Sequence, residues 1–300
     1  MITATISTYN REHYLPQVLD SLKRQTLSKE LFEVVLVNNN SPGNTEEISA
    51  QFAQDNPDIK YSYFLETNQG LSYGRNRGIK EAKGKYITFI DDDAFLAEDY
   101  LEKIYDCFEK NKDCVAIGSK IHLHYESVIP AWENKFLNSL LGYFDMGDVA
   151  KPFPKSDYPR GSNMSFKTSV FEKVGGFNVE LGRKGNNLAG SEEKDMFQKI
   201  YKNNLEVLYI PDAMVYHCVP VERTTTEFIK KQALGTGIGE IQRVRDEGGG
   251  ALFKRWMIEF FKWGASIILF FGYCFVFQFP RGIMILRFRF WVTQGLLKKE

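Results

Sequence analysis

The sequence predicts an α/β fold: a doubly wound, mostly parallel sheet with helices on both faces, followed by a helical, membrane-associating C-terminal segment. Three observations predict it. Apolar, β-branched runs alternate with helical patterns at roughly 25 to 30 residues per unit, the rhythm of strand–helix crossovers. Polar clusters recur where successive strands should end: Thr8-Tyr9-Asn10-Arg11, Asn38-Asn39-Asn40-Ser41 and Asp91-Asp92-Asp93. Near the C-terminus, the 18 residues Trp263 to Pro280 contain no charged side chain, which reaches the lower limit for spanning a bilayer.

Taken in order, Ile2 to Ser7 is apolar and β-branched and reads as a buried strand. Leu15, Val18, Leu19 and Leu22 then fall on one helical face. Phe32 to Val37 is a second buried strand, closed by Asn, Ser, Pro and Gly turn chemistry. A short amphipathic helix and a strand at Lys60 to Leu65 follow. Ser72 to Lys83 reads as a helix despite Gly74 and Gly78, which lie four apart and let backbone or ligand approach closely. The strand from Tyr86 leads into the Asp triplet, and a helix at Glu98 to Lys110 and a strand at Val115 to Ile121 come next.

From His122 to Arg160 prolines and aromatics break the rhythm. Order returns at Gly161 to Phe166, then in a short helix ending at Gly175 and a helix from Ser191 to Asn203 with Met196, Phe197, Ile200 and Tyr201 as its buried stripe. A Gly- and Asn-rich loop, Leu181 to Gly190, precedes that helix. Two short strands, Glu206 to Ile210 and Ala213 to Tyr216, are expected around a Pro-Asp turn.

Composition narrows the function. Lys+Arg and Asp+Glu balance at 38 each, so no overall field favours nucleic acid as a partner. The four cysteines have neither zinc-site nor disulfide-framework spacing and read as buried thiols in a reducing compartment. The first residues show no basic region and no long apolar run, so a cleaved signal is not expected.

The Asp triplet ends a buried strand, and in open α/β sheets ligands sit outside the carboxyl ends of strands. Three carboxylates there form a hard oxygen cluster suited to Mg²⁺ or Mn²⁺ carrying phosphates. The alternative is a solvated turn whose last Asp caps a helix beginning near Leu96. Glu192 and Glu193 are open in the same way: acids in a helix's first turn complement its dipole by about 0.3–1 kcal/mol each.

Eight motifs in one order bear on these choices: the opening strand with TYNR, VNNNS, NQGLSYGRNRGI, YITFIDDD, GSNMSF, VGGF, the acidic GSEEKD run and IPDAMVYH. Together they resemble glycosyltransferase family 2 of the GT-A fold, over about Ile2 to His217. The resemblance implies an inverting transferase that takes a sugar from a nucleotide-diphosphate sugar, with a divalent metal, Mn²⁺ or Mg²⁺, as cofactor. Asp91 and Asp93 correspond to the DxD motif and, with His217, become the implied metal ligands. Glu193 becomes the implied catalytic base, with Glu192 as runner-up. Thr8, Tyr9, Asn10, Arg11, Asn38, Asn40, Asn68, Gly70, Arg75, Asp91 and Asp92 are implied to bind the nucleotide sugar, Arg75 close to the diphosphate. Gly161, Asn163 and Met164 are implied on the acceptor side. Relatives often carry Asp where Asn38 stands; an Asn carbonyl accepts the same base hydrogen bond without charge assistance.

The expected domains are a catalytic domain at 1–221, with a nucleotide half to about 121 and an acceptor half from about 122, a helical linker at 222–250, and membrane-associating helices at 251–300. A helix over Glu222 to Arg245 is expected to be flexible around Gly235, Gly237 and Gly239, with a hinge at Glu247 to Gly250. Basic residues flank the apolar tail on both sides and Pro280-Arg281-Gly282 breaks it. This suits a re-entrant or interfacial hairpin on an anionic leaflet, at the cytoplasmic face. The alternative for the tail is a hydrophobic contact between copies. A membrane-held chain suits a saccharide acceptor carried on a lipid, in cell-surface polysaccharide or glycolipid synthesis. Two rivals remain, a catalytically silent sugar-nucleotide binder and a nucleotidyltransferase. The second would need a Gly-rich basic phosphate loop near the N-terminus, and TYNR lacks the glycines.

Overall fold

A computed structural model of the chain describes residues 1–182, 191–246 and 249–298. By its contacts the chain forms two compact units, Met1–His122 with Phe144–Cys218, and Leu123–Tyr143 with Val219–Glu300.

In the first unit the expected alternation is realised as β1 (Ile2–Thr8), α1 (Leu15–Lys23), β2 (Phe32–Asn38), α2 (Thr45–Asp55), β3 (Lys60–Leu65), α3 (Leu71–Glu81) and β4 (Tyr86–Asp91). These are followed by β5 (Ala94–Leu96), α4 (Tyr100–Lys110), β6 (Cys114–Tyr125), β7 (Lys151–Pro152), β8 (Met164–Lys167), α5 (Val170–Val174), α6 (Glu192–Lys202) and β9 (Glu206–Val219). They build one sheet in the order β3-β2-β1-β4-β8-β6-β9-β5, with β7 on β9. The first four strands pair in parallel, and β8 runs antiparallel to both β4 and β6.

Side-chain alternation along β4 shows why both faces carry helices. Tyr86 and Ile90 join the apolar cluster of α1 and α4, whereas Ile87 and Phe89 join that of β8, α5 and α6. The two glycines of α3 are packing devices. A Cβ on Gly74 would lie 2.9 Å from Ser7 Oγ, and one on Gly78 would lie 2.3 Å from Thr5 Oγ1. Their absence lets α3 settle directly on β1 and carries Arg75 to the sheet edge.

Two local expectations change. No helix starts at Leu96: the residues after the Asp triplet form β5, antiparallel to β9, and α4 begins only at Tyr100. Glu206 to Val219 is one continuous strand without a turn at Pro211-Asp212, because proline's fixed φ is compatible with extended backbone.

The second unit contains the 3₁₀ turn Asn138–Leu141 and three long helices, α7 (Thr226–Asp246), α8 (Gly249–Phe275) and α9 (Phe279–Leu297). Residues 123–143, placed on sequence in the acceptor half, group with these helices because Trp132, Leu137 and Leu141 share one core with Ile229, Ala233, Met284, Trp291 and Leu296. Of the α7 glycines Gly237 is a packing position, whereas a Cβ on Gly235 or Gly239 would meet nothing within 4 Å. A Cβ on Gly237 would stand 2.2 Å from the Val292 carbonyl, and one on Gly295 would stand 2.4 Å from that of Leu234. They form a close small-residue crossing between α7 and α9. Of the expected hinge, Glu247 and Gly248 lie outside the described residues.

Helix α8 is polar inside and apolar outside. Arg255 and Glu259 are buried and hydrogen-bonded at 3.0 Å, and Thr293 of α9 donates to Glu259 at 3.0 Å and accepts from Trp263 Nε1 at 3.0 Å. Meanwhile Phe253, Phe260, Phe261, Ile268, Phe271 and Phe275 are each 64% to 86% exposed. Residues Gly250–Phe275 are long and apolar enough to cross a membrane: an 18-residue window within them has a mean hydropathy of 1.4, and 11% of that window is buried.

Replacing Gly237 by Ala forces a methyl against the α9 backbone and is expected to destabilise the helical unit by about 1–3 kcal/mol. Thermal unfolding followed by helical circular dichroism measures this; a midpoint equal to that of the parent would refute the close crossing.

Candidate active site

The site is built at the carboxyl edge of the parallel strands. β4 ends at Asp91, and Asp92-Asp93 turn the chain into β5. The β5–β9 ladder pairs Ala94 with His217, and the Cys218 N–H donates to the Asp93 carbonyl at 2.8 Å. Strand pairing thus brings His217 Nε2 to 3.5 Å from Asp93 Oδ1.

Arg11, from the loop after β1, contacts Asp92 Oδ1 at 3.1 Å and also bonds Asp93 Oδ2. The Tyr9 N–H reaches Asp92 at 3.4 Å. Burial pushes the Asp92 carboxyl up to about 7 even against the pull of Arg11, and neighbouring Asp93 adds to the rise. Burial opposes the charge on Arg11 as well, but Asp93 and Asp92 hold its pKa above the ordinary value.

A second cell lies around Arg75, whose side chain is 2% exposed. Its Nη1 donates to Glu192 Oε1 at 3.0 Å, and its Nη2 donates to Asp91 Oδ1 and Glu193 Oε1, both at 3.3 Å. Its guanidinium lies 5.4 Å from the Phe177 ring centroid. Burial disfavours the charge, yet Glu193, Asp91 and Glu192 raise the pKa of Arg75. Five carboxylates are therefore divided between two arginines. Within the Arg75 cell the acids differ: the Glu192 carboxylate is buried at 3% exposure, whereas that of Glu193 is 24% exposed.

Several predicted residues stand elsewhere than their implied roles suggest. Arg75 is enclosed by carboxylates, so its recorded partners are acids and not an open phosphate cradle. Asp91, expected beside Asp93 and His217, is drawn to Arg75 by their 3.3 Å contact. Asn163 is buried and accepts from Tyr100 OH at 3.0 Å while donating to the Lys120 carbonyl at 3.0 Å. Met164 is fully buried in β8. Both therefore shape the sheet from within. Gly161 alone of the acceptor-side trio borders the acids: a Cβ there would lie 2.0 Å from Glu193 Oε1 and 2.4 Å from Arg75 Nη2.

At the nucleotide end, Thr8 is buried and Tyr9 is 40% exposed. Asn38 Oδ1 accepts the Ser41 N–H at 2.8 Å, and its Nδ2 donates to Tyr63 OH at 2.9 Å. Its carbonyl is thus already engaged in holding the turn. Asn10 and Asn40 have φ of 54° and 64°, the left-handed region that Asn tolerates, and the Asn10 N–H meets Ser41 Oγ at 3.0 Å. Asn68 folds over Glu66, whose Oε1 accepts its N–H at 2.8 Å. Gly70 takes φ of 143°, and its N–H donates to Asn39 Oδ1 at 2.7 Å.

Three residues escaped the sequence reading. Asn39 ties the loop between β3 and α3 to the end of β2, donating to the Asn68 carbonyl at 2.7 Å while it accepts from Gly70. Asn76 clamps Phe177 through two 2.8 Å hydrogen bonds, one to its carbonyl and one from its N–H. No local pattern distinguishes Asn39 from its two Asn neighbours. The partners Asn76 and Phe177 are 101 residues apart. Part of the loop before α6, residues 183–190, lies outside the described residues.

Asp93 and His217 fit a divalent cation. Ligands about 2.1 Å from an octahedral ion stand about 3 Å apart when adjacent, close to the separation of these two donors. Among the described residues no three His, Cys, Asp or Glu side chains gather into a self-sufficient cage. A cation held here would draw its remaining ligands from phosphate oxygens and water.

Comparison with known proteins identifies the family and the fold. The family model for glycosyl transferase family 2 matches residues 3–175. A glucosyl-dolichyl phosphate glucuronosyltransferase of Haloferax volcanii is 29% identical over 250 residues, covering 82% of this chain and 77% of that protein. The minor teichoic acid biosynthesis protein GgaB of Bacillus subtilis is 38% identical over 112 residues, 36% of this chain and 12% of the relative. Among solved structures, the mannosyltransferase PcManGT of Pyrobaculum calidifontis, in complex with GDP-Man and Mn²⁺, aligns with a TM-score of 0.64 at 18% identity, over 100% of this chain and 88% of that one. TarS 1–349 of S. aureus, in complex with UDP-GlcNAc, aligns at 0.57 and 19% identity, over 78% and 66%. The two structures share the fold.

Asn76→Ala removes both hydrogen bonds to Phe177 and strands its backbone groups. It is expected to cost about 1–3 kcal/mol in urea unfolding. Unchanged stability would show that the clamp holds nothing.

Proposed function

Because this chain belongs to glycosyltransferase family 2, we propose that it moves a sugar from a nucleoside-diphosphate sugar to an acceptor hydroxyl in a single displacement that inverts the anomeric carbon. The observation that carries the mechanism is the separation of the five carboxylates into two cells. One cell, Asp92 and Asp93 with Arg11 and His217, has the donor set for the diphosphate end. The other offers one partly exposed acid, Glu193, fixed by a buried cation.

In this reading Glu193 accepts the proton of the acceptor hydroxyl as its oxygen attacks the anomeric carbon. The bond from that carbon to the diphosphate oxygen breaks, and the electron pair leaves with the nucleoside diphosphate. The transition state carries oxocarbenium character, as in glycoside hydrolysis. Asp93 and His217 would hold a divalent cation, Mn²⁺ or Mg²⁺. When bound, that ion supplies Lewis-acid stabilisation of the departing diphosphate charge. Imidazole as a ligand favours Mn²⁺ over Mg²⁺. Thr8, Tyr9 and Asn38 line the base end, and Glu192, buried against Arg75, anchors and does not react.

The acceptor is a saccharide carried on a lipid, and the chain works at the cytoplasmic face of a membrane. Three observations support this: the apolar exterior and charged interior of α8, the four cysteines standing as thiols as expected of a reducing compartment, and the glucosyl-dolichyl phosphate named for the H. volcanii relative. An interior of paired charges beneath a shell of phenylalanine is the polarity of a segment whose outer solvent is lipid.

Glu193→Gln should abolish nucleoside-diphosphate release, by about 10²-fold or more, from whichever of UDP-glucose, UDP-N-acetylglucosamine and GDP-mannose the parent consumes with Mn²⁺, while calorimetry still records binding of the matching nucleoside diphosphate. A variant turning over at the parental rate would remove Glu193 from the mechanism. In flotation assays the full chain should rise with phosphatidylglycerol vesicles, and Phe260→Glu with Phe271→Glu should release it. A parent that stays at the bottom of the gradient with every vesicle would refute the membrane reading.

A further inference from the structure

We propose that Arg75 is a positioning residue for the proton acceptor and not a ligand of the donor diphosphate. This rests on the reading of Glu193 as base and adds the element that sets where the base stands. The guanidinium is buried, and the hydrogen bonds it makes through both Nη atoms all go to carboxylates. Nη1 is committed to Glu192, and Nη2 is shared evenly between Asp91 and Glu193, each at 3.3 Å. The Phe177 ring covers it at 5.4 Å and is itself pinned by Asn76, the next residue of α3. A phosphate arriving at Arg75 would have to displace a carboxylate and leave it buried without its counter-charge, which is strongly unfavourable.

The three acids come from two elements that must keep register during transfer. Asp91 ends β4, directly before the turn that carries Asp92 and Asp93. Glu192 and Glu193 open α6. Nη2 therefore ties the strand end of the donor side to the first helical turn that presents the base. Glu192 is the anchor of this tie. It is buried, one oxygen faces Arg75, and the other, Oε2, has no hydrogen-bond partner among the described residues. Lysine cannot reproduce the arrangement, because a single ammonium lacks the planar fork that reaches both helix acids and the strand end at once. Gly161 completes the cell. Any side chain there would enter the space occupied by Glu193 Oε1 and Arg75 Nη2, so this glycine guards the bond between the positioning residue and the base.

The test uses the full chain with Mn²⁺ and the sugar nucleotide that the parent hydrolyses among UDP-glucose, UDP-N-acetylglucosamine and GDP-mannose. Turnover is expressed per site competent to bind the matching nucleoside diphosphate by calorimetry, so that loss of folded protein is divided out. Arg75→Lys is expected to lower kcat by about 100-fold, the loss that follows misplacement of a reacting group by about 1 Å, with the donor KM within about threefold of the parent. Gly161→Ala, which leaves every charge in place, is expected to give the same split and serves if Arg75→Lys does not fold. A donor KM raised tenfold with kcat kept would make Arg75 a diphosphate ligand and overturn the proposal. So would activity losses that vanish once counted per binding site. Parental turnover in Glu193→Gln would overturn the base reading instead; an inactive Glu193→Gln beside a normal Arg75→Lys would overturn only the positioning role.

Discussion

A buried guanidinium surrounded by three carboxylates is the constraint on which the rest of this sheet edge depends. Carboxylates brought together in low dielectric repel one another and lose hydration, so they persist as anions only beside a compensating cation. Here two arginines provide it, and each arrives by a different route: Arg11 on the loop after β1 and Arg75 on α3. Gly74 and Gly78 let α3 approach β1, the Asn76 clamp places an aromatic ring against the guanidinium, and Gly161 leaves room for the contact with Glu193. Motifs that look independent along the chain thus serve one electrostatic requirement.

The second unit solves the opposite problem. Its helices α7 and α9 pack through glycine, as closely as backbones allow, while Arg255, Arg289 and Glu259 are paired inside. Paired charges beneath exposed phenylalanines are costly for a helix in water and natural for one whose surroundings are hydrocarbon.

Much of this was legible in the sequence because periodicity and local turn chemistry report directly on neighbours. The strands at Ile2, Phe32, Lys60 and Tyr86 and the helices between them follow from hydrophobic spacing alone. The order of polar motifs announced a family 2 glycosyltransferase, and the family match and shared fold agree. What escaped notice depended on distant partners. The acid partners that α6 brings to Arg75 lie 117 and 118 residues away in the chain. The burial of Asn163 and Met164 shows only once β8 is placed in the sheet. The strand after the Asp triplet is hidden because three residues of pairing to β9 outweigh any helical preference they carry. Gly237 reads as flexibility until it is seen against the backbone of Gly295.

The hydrogen bonds of Asn38 have an evolutionary corollary. Its carbonyl oxygen closes the turn by accepting from Ser41, and its amide nitrogen meets a hydroxyl, that of Tyr63. A hydroxyl both donates and accepts. Exchange of this Asn for the Asp common among relatives would need only that the tyrosine proton rotate to face a carboxylate oxygen, while the turn keeps its acceptor. One rotatable hydrogen thereby allows a charge to be placed at the end of β2 without any backbone having to move.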